Sequence, residues 1–139
     1  MKRIFVDARF VIALINQRDQ FHQKALALSH KVEYYPLLIT DAILLEIGNG
    51  LVRGYKRQAI EIIEYYLTAD EVEVVNLNPI LFKKSLDFYK THQDKDWGIV
   101  DCFSFIVMKE VGIEQVLTFD KHFLQAGFQP LVEKYVHNT

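Results

Sequence analysis

Apolar residues in this chain fall into short blocks whose spacing alternates between two periods. Ile4-Phe5-Val6 is a continuous run closed by Asp7, and Leu37-Leu38-Ile39-Thr40 is another, preceded by Pro36. Short apolar runs bounded by turn-forming residues predict buried strands. Glu73-Val74-Val75, Gln115 to Thr118 and Gln129 to Val132 fit the same template. Between these runs the spacing lengthens to that of a helix. Phe10 to Ile15 predicts a helix directly after the first strand, and Phe21, Ala25 and Leu28 predict a second over about 21–31. Asp41 is expected to cap a helix running through Val52, with Gly54 near its end. Residues 57–69 are amphipathic, with Ile60, Ile63 and Leu67 on one stripe.

Asn78 followed by Pro79 predicts a cap and a first-turn proline for a helix ending near His92. The polar loop Gln93-Asp94-Lys95-Asp96 leads into a strongly apolar helix ending at Gly112, and Lys121 to Ala126 is expected to form a helical turn or two. Strands separated by helices imply a parallel or mostly parallel sheet with right-handed crossovers. The expected fold class is α/β. No repeat, linker or low-complexity segment interrupts the pattern, so 1–139 is expected to be one domain.

Composition narrows the possibilities. Half of the 139 residues are hydrophobic and 24% are charged, ordinary values for a soluble domain. The one cysteine allows no internal disulfide. No apolar run reaches the roughly 18 residues of a membrane span, and Asp7 comes too early for the apolar region of a signal peptide. A cytoplasmic protein without a membrane partner is the expectation. Sixteen basic against eighteen acidic residues give a net charge of −2, which argues against holding nucleic acid by charge alone. An enzyme with a central metal and local basic residues remains compatible with that balance.

Four acids break the apolar pattern. Asp7 ends the first strand, Glu46 interrupts Ile43-Leu44-Leu45 and Ile47, Asp101 lies between Ile99-Val100 and Cys102-Phe103, and Asp120 follows Val116-Leu117-Thr118-Phe119. An ionised carboxylate among apolar residues is costly without a compensating cation or hydrogen bonds. Asp7, Asp101 and Asp120 each have a plain alternative as helix caps, worth about 1 kcal/mol apiece. Glu46, in the middle of a helix beside Ala42, Asn49 and Gly50, has no such role. Together the four are expected at the carboxyl edge of the sheet, where open α/β sheets bind ligands. Crowding is expected to raise at least one of their pKa values. Hard oxygen donors without a cysteine or histidine pair favour Mg²⁺ or Mn²⁺ over Zn²⁺, and the fitting chemistry is phosphodiester hydrolysis. No phosphate-cradling glycine motif is present.

Other polar residues have mostly bland readings. Cys102 belongs to the core, His22 to the surface or a half-buried position, and Lys83-Lys84 to a solvated helix face. Trp97 is read as a packing residue that fixes the start of the Asp101 helix. His122 stands two residues after Asp120, within reach of a substrate phosphate.

The chain resembles the PIN-domain family, in particular the VapC-type toxins of prokaryotic toxin–antitoxin pairs. The matching segments are Ile4-Phe5-Val6-Asp7; Ala13-Leu14 with Asp19, His22 and Ala25; Thr40 with Leu44-Leu45-Glu46; Asp96-Trp97-Gly98-Ile99-Val100-Asp101-Cys102-Phe103-Ser104; and Leu117-Thr118-Phe119-Asp120-Lys121-His122-Phe123 with Ala126-Gly127-Phe128. The resemblance implies a three-layer α/β/α fold around a mostly parallel sheet. It implies an endoribonuclease whose Asp7, Glu46, Asp101 and Asp120 bind Mg²⁺ or Mn²⁺ and catalyse RNA cleavage. It also implies a small antitoxin partner and a homodimer, for which Ile60, Ile63, Leu67, Leu81 and Phe82 are the candidate apolar surface. Arg9 and His122 are the candidate substrate-binding residues.

The chain departs from the family at Ala8 and Arg9, where relatives usually carry Thr and then Ser or Asn, and at Gly98 and Val100, where hydroxyl residues are common. Arg9 could compete with the metal for Asp7, bind the scissile phosphate as arginines do, or point outward. Attraction to the acids favours the first. The alternative function is a degenerate PIN module, weak or inactive as a nuclease, that binds protein or RNA. A receiver or phosphatase is disfavoured, because Asp7-Ala8-Arg9 lacks a second aspartate two positions on and a helical Glu46 has no role there.

Overall fold

β1 (Ile4–Val6) is the central strand of a five-stranded sheet in which every pairing is parallel. On one side it pairs with β2 (Leu37–Thr40), which pairs in turn with β3 (Val72–Val75). On the other side it pairs with β4 (Gln115–Leu117), followed by β5 (Gln129–Pro130). The order β3-β2-β1-β4-β5 means that the chain winds outward from β1 in one direction and then returns to wind outward in the other. The computed structural model describes residues 2–132; the single-domain expectation extends beyond them to Met1 and 133–139.

Right-handed crossovers put the connections of the two directions on opposite faces. One face carries α1 (Ala8–Ile15), α2 (His22–Lys31), α3 (Asp41–Gly50) and α4 (Lys56–Thr68), which pack in the succession α2, α1, α3, α4. The other carries α5 (Pro79–Thr91), α6 (Ile99–Val111) and α7 (His122–Gln125), with α5 and α7 both against α6. The fold is therefore the three-layer α/β/α expected. Phe5, Val6, Leu38, Ile39, Val116 and Leu117 are fully buried between the layers, as continuous apolar strands of a parallel sheet must be.

Helix boundaries follow local chemistry. The Asn78 side chain accepts from the Leu81 N–H at 2.8 Å with Pro79 behind it, and Gly112 ends α6 at φ 75°, a conformation costly for any residue with a Cβ. Two expectations need correction. Thr40, not Asp41, caps α3, its hydroxyl accepting from Ile43 N–H at 3.1 Å; the Asp41 carboxylate instead takes the Leu77 N–H at 3.0 Å. Along α4 the buried residues are Ala59 and Tyr66, with Ile63 packed against the core, whereas Ile60 and Leu67 are exposed and belong to the candidate apolar surface. The last strand is also shorter than expected, ending at Pro130.

Cys102 is fully buried, as the apolar pattern implied. Trp97 packs against Phe88 and edge-on to Phe105, and its indole N–H donates to Gln125 Oε1 at 3.1 Å. That ties the residues before α6 to α7. Phe105 also meets Phe123 edge-on at 5.1 Å, and Phe123 contacts Phe5 in β1. One aromatic chain thus links α5, α6, α7 and the central strand, and it fixes how α6 and α7 stand over the carboxyl edge of the sheet.

Candidate active site

Parallel pairing brings the first two acids close. Val6 and Leu117 are register partners, and the Asp7 N–H continues the ladder onto Leu117 O at 3.0 Å. The next residue on each strand, Asp7 and Thr118, therefore meets across the carboxyl edge. Thr118 Oγ1 donates to Asp7 Oδ2 at 2.7 Å and accepts the Asp120 N–H at 2.9 Å. Asp7 occupies the N-cap position of α1, but its side chain makes no capping bond there; it is buried and turned to Thr118. The cap reading fails for Asp7.

Asp101 and Asp120 combine both readings. Asp101 Oδ2 accepts the Gly98 N–H at 3.1 Å, closing the first turn of α6, while Asp120 Oδ1 accepts the His122 N–H at 3.0 Å, shaping the turn into α7. The same carboxylates face His122, whose Nδ1 lies 2.9 Å from Asp101 Oδ2 and 3.2 Å from Asp120 Oδ1. Hydrogen bonds of the capping kind hold the two acids in place without removing them from the cluster.

Glu46 arrives on α3, which follows β2 and crosses α1 closely. A Cβ at Gly50 would run into the Ile12 side chain, so the small residues beside Glu46 do permit the close approach that the sequence suggested. Glu46 is exposed as a residue, yet its carboxyl borders the same cavity of about 420 Å³ as Asp7, Arg9, Asn49, Asp101, Asp120 and His122. All six residues singled out from sequence thus line one cavity, beside the β1–β4 junction where the winding reverses. This is the position where open α/β sheets bind ligands.

The electrostatics are those of carboxyls held close together and away from water. Burial, followed by the charges of Asp101 and Asp120, pushes the Asp7 carboxyl up to about 6 against the pull of the Thr118 hydroxyl. Glu46 is pushed up to about 7, again by burial first and then by Asp7 and Asp101, with Arg9 opposing. Asp101 is raised by burial, partly offset by its hydrogen bond to His122. The upward shifts were expected from crowding. Removal from water is the larger cause.

Arg9 lines the cavity without pairing with Asp7. It is exposed and makes no ion pair among the described residues. Its charge acts on Glu46 at the rim, while Asp7 lies beneath Thr118. Competition for Asp7 is not the arrangement observed.

Sequence reasoning gave Thr118 no role of its own. Its hydroxyl reaches Asp7 from β4, supplying the kind of support that Ala8 and Arg9 lack. Its place between Leu117 and Asp120 was the available signal, but the partner lies 111 residues away.

The residues fit a divalent ion of the Mg²⁺ or Mn²⁺ type: carboxylate oxygens dominate, and Asp101, Asp120 and His122 each offer a ligand atom with no two more than 4.8 Å apart. Asp7 and Glu46 border the same space.

Known proteins share this architecture. The PIN domain matches residues 4–129. The 23S rRNA-specific endonuclease VapC20 of Mycobacterium tuberculosis is 29% identical over 126 residues, spanning 90% of this chain and 95% of that protein. A VapC ribonuclease of Aquifex aeolicus is 28% identical over 113 residues, 80% of this chain and 77% of its own. The crystal structure of VapC20, described as a sarcin–ricin loop cleaving toxin, gives a TM-score of 0.81 at 29% identity, covering 94% of this chain and 97% of that one. FitAcB from Neisseria gonorrhoeae, at 12% identity and a TM-score of 0.61, shares the fold alone. With its strand order, its carboxyl-edge acids and a match spanning residues 4–129, this chain belongs to the PIN-domain family and is a PIN domain of the VapC type.

Proposed function

We propose that this protein is a divalent-metal-dependent endoribonuclease, the toxin of a toxin–antitoxin pair, that hydrolyses phosphodiester bonds in structured RNA. The observation that carries the reading is the convergence of Asp7, Glu46, Asp101 and Asp120 on one cavity beside the β1–β4 junction of a PIN domain. Asp101, Asp120 and Asp7 would hold the ion, with Glu46 at the rim. A bound Mg²⁺ or Mn²⁺ supplies polarisation of the phosphate and a water of lowered pKa. Thr118 keeps Asp7 and the Asp120 backbone in register, and His122 sets the orientation of Asp101 and Asp120. Exposed Arg9 is positioned to meet a phosphate of the incoming strand, a contact to which arginine is suited.

The relatives' names make ribosomal RNA hairpins, a sarcin–ricin loop first among them, the substrates to try. A small antitoxin and a second copy of the chain complete the proposed assembly in the cytoplasm. No helix among the described residues is long and apolar enough to cross a membrane.

The test is incubation of the purified protein with such RNAs in Mg²⁺ or Mn²⁺, with EDTA and Asp101→Asn as controls. Discrete cleavage that needs the ion and Asp101 supports the reading. Ion binding without cleavage of any structured RNA would favour the degenerate module that Ala8 and Arg9 suggest.

A further inference from the structure

We propose that His122 is a direct metal ligand through Nδ1, and that this nitrogen makes the site prefer a first-row transition ion to Mg²⁺. The inference rests on the reading that the acid cluster holds the ion, and it changes the donor set from oxygen alone to mixed oxygen and nitrogen.

Geometry carries it. His122 Nδ1 is the ring atom turned into the cluster, 2.9 Å from Asp101 Oδ2 and 3.2 Å from Asp120 Oδ1. Neighbouring ligand atoms of an octahedral ion with bonds of about 2.1 Å lie about 3 Å apart. The two separations match that spacing, and with the three ligand atoms all within 4.8 Å of one another Nδ1 can share an ion with Asp101 and Asp120. The ring is held there from both sides along the chain. The His122 N–H is bound to Asp120 Oδ1 at 3.0 Å, and the following Phe123 is fully buried against Phe5 and Phe105. The three side chains are shielded to a similar degree, with 16–19% of each accessible.

Chemistry sets the consequence. Mg²⁺ takes oxygen ligands and sheds water reluctantly, whereas affinity for a nitrogen ligand rises from Mn²⁺ along the transition series. A histidine that only bridges two carboxylates by hydrogen bonds would show the same distances in the ion-free chain but would confer no such preference. The two roles separate once an ion is bound.

The test uses the full chain and Mn²⁺ as the probe. Pulsed electron paramagnetic resonance of the Mn²⁺-bound protein should show hyperfine coupling to a directly bound imidazole nitrogen. The coupling should change on isotopic labelling of histidine and vanish in His122→Asn. By calorimetry, His122→Asn should lose roughly tenfold or more of its Mn²⁺ affinity but no more than about threefold of its Mg²⁺ affinity. Bound Mn²⁺ without nitrogen coupling, or equal losses for both ions, overturns the proposal; ion-dependent RNA cleavage in the same preparation would leave the nuclease reading standing. Mn²⁺ binding that survives Asp101→Asn unchanged would overturn both. The spectroscopic result on the unaltered chain does not depend on how well His122→Asn folds.

Discussion

The Thr118 hydroxyl and the Asp7 carboxylate meet at 2.7 Å across 111 residues of sequence. The contact follows from sheet register, since Val6 and Leu117 are paired and the next residue on each strand must stand beside the other. The same oxygen accepts the Asp120 N–H, so one side chain sets the spacing of two acids. Asp7 therefore has its hydroxyl partner despite Ala8 and Arg9.

Thr118→Val keeps the shape and removes that hydroxyl. Without its donor, Asp7 should titrate above about 6, and divalent-ion affinity should fall roughly 10- to 100-fold. Thr118→Ser should retain most of both. Carboxyl-detected NMR titration and calorimetry read the two effects. Unchanged ion affinity in Thr118→Val would mean that Asp7 does not depend on this bond.

The raised carboxyls make stability depend on pH in a definite direction. Unfolded Asp and Glu titrate near pH 4, whereas Asp7 and Glu46 in the folded, ion-free chain titrate at about 6 and about 7. Between these values the folded state binds more protons than the unfolded state, so stability falls as pH rises from about 4 to about 7. Asp7, being buried, should account for a loss of about 3 kcal/mol. Denaturant titrations in EDTA across that range should show the decline. Added Mg²⁺ or Mn²⁺ should reverse it at the upper end by binding the folded state alone. A profile that rises over the same range would show these carboxyls to be charged in the folded chain.

Arg9→Ala tests the rim. If the exposed guanidinium meets RNA phosphate, its loss should weaken RNA binding and reduce the slope of log affinity against log salt by about 1. Mn²⁺ affinity should stay nearly constant, because Arg9 does not pair with Asp7. The Glu46 pKa should rise, since Arg9 lowers it. Binding data with an unchanged salt slope would remove Arg9 from the RNA interface.

The proposed homodimer has a specific apolar surface. Ile60 is 49% exposed, Leu67 58%, Ile80 70% and Phe82 50%, whereas Ile63 and Leu81 pack against the core and contribute less. Light scattering at micromolar concentration should give about twice the 16.3 kDa chain mass. Phe82→Lys should shift the mass toward that of one chain if α5 lies in the interface. A single-chain mass for the unaltered protein would contradict the dimer.

Periodicity made the order and type of the elements legible because each depends on residues adjacent in sequence. The acids were legible for a similar reason, since a charge within an apolar run stands out locally. What was hidden depends on tertiary pairing. Thr40 and Asp41 are both good caps by type, and only the distant Leu77 N–H decides which one caps α3. Ile60, Ile63 and Leu67 share one stripe by spacing, but the residues that α4 buries are Ala59 and Tyr66. Thr118 reads as an ordinary strand-end threonine until β4 is set beside β1. His122 was visible as a neighbour of Asp120, whereas its reach to Asp101 depends on how Trp97 and Phe105 set α6 against α7.

The strand order has a consequence for the chain's own synthesis. Translation delivers β1 and Asp7 long before β4, the strand that completes the central pair with Thr118, Asp120 and His122 behind it. Until α6 emerges the growing polypeptide has only Asp7 and Glu46 of the four acids. β1 then has β2 on one side but not yet β4 on the other, so the Thr118 hydroxyl that holds Asp7 is still missing. A chain broken or stalled before β4 lacks Thr118, Asp120 and His122. The order of synthesis thus withholds the proposed cutting centre until β4 and the turn that follows it have been made.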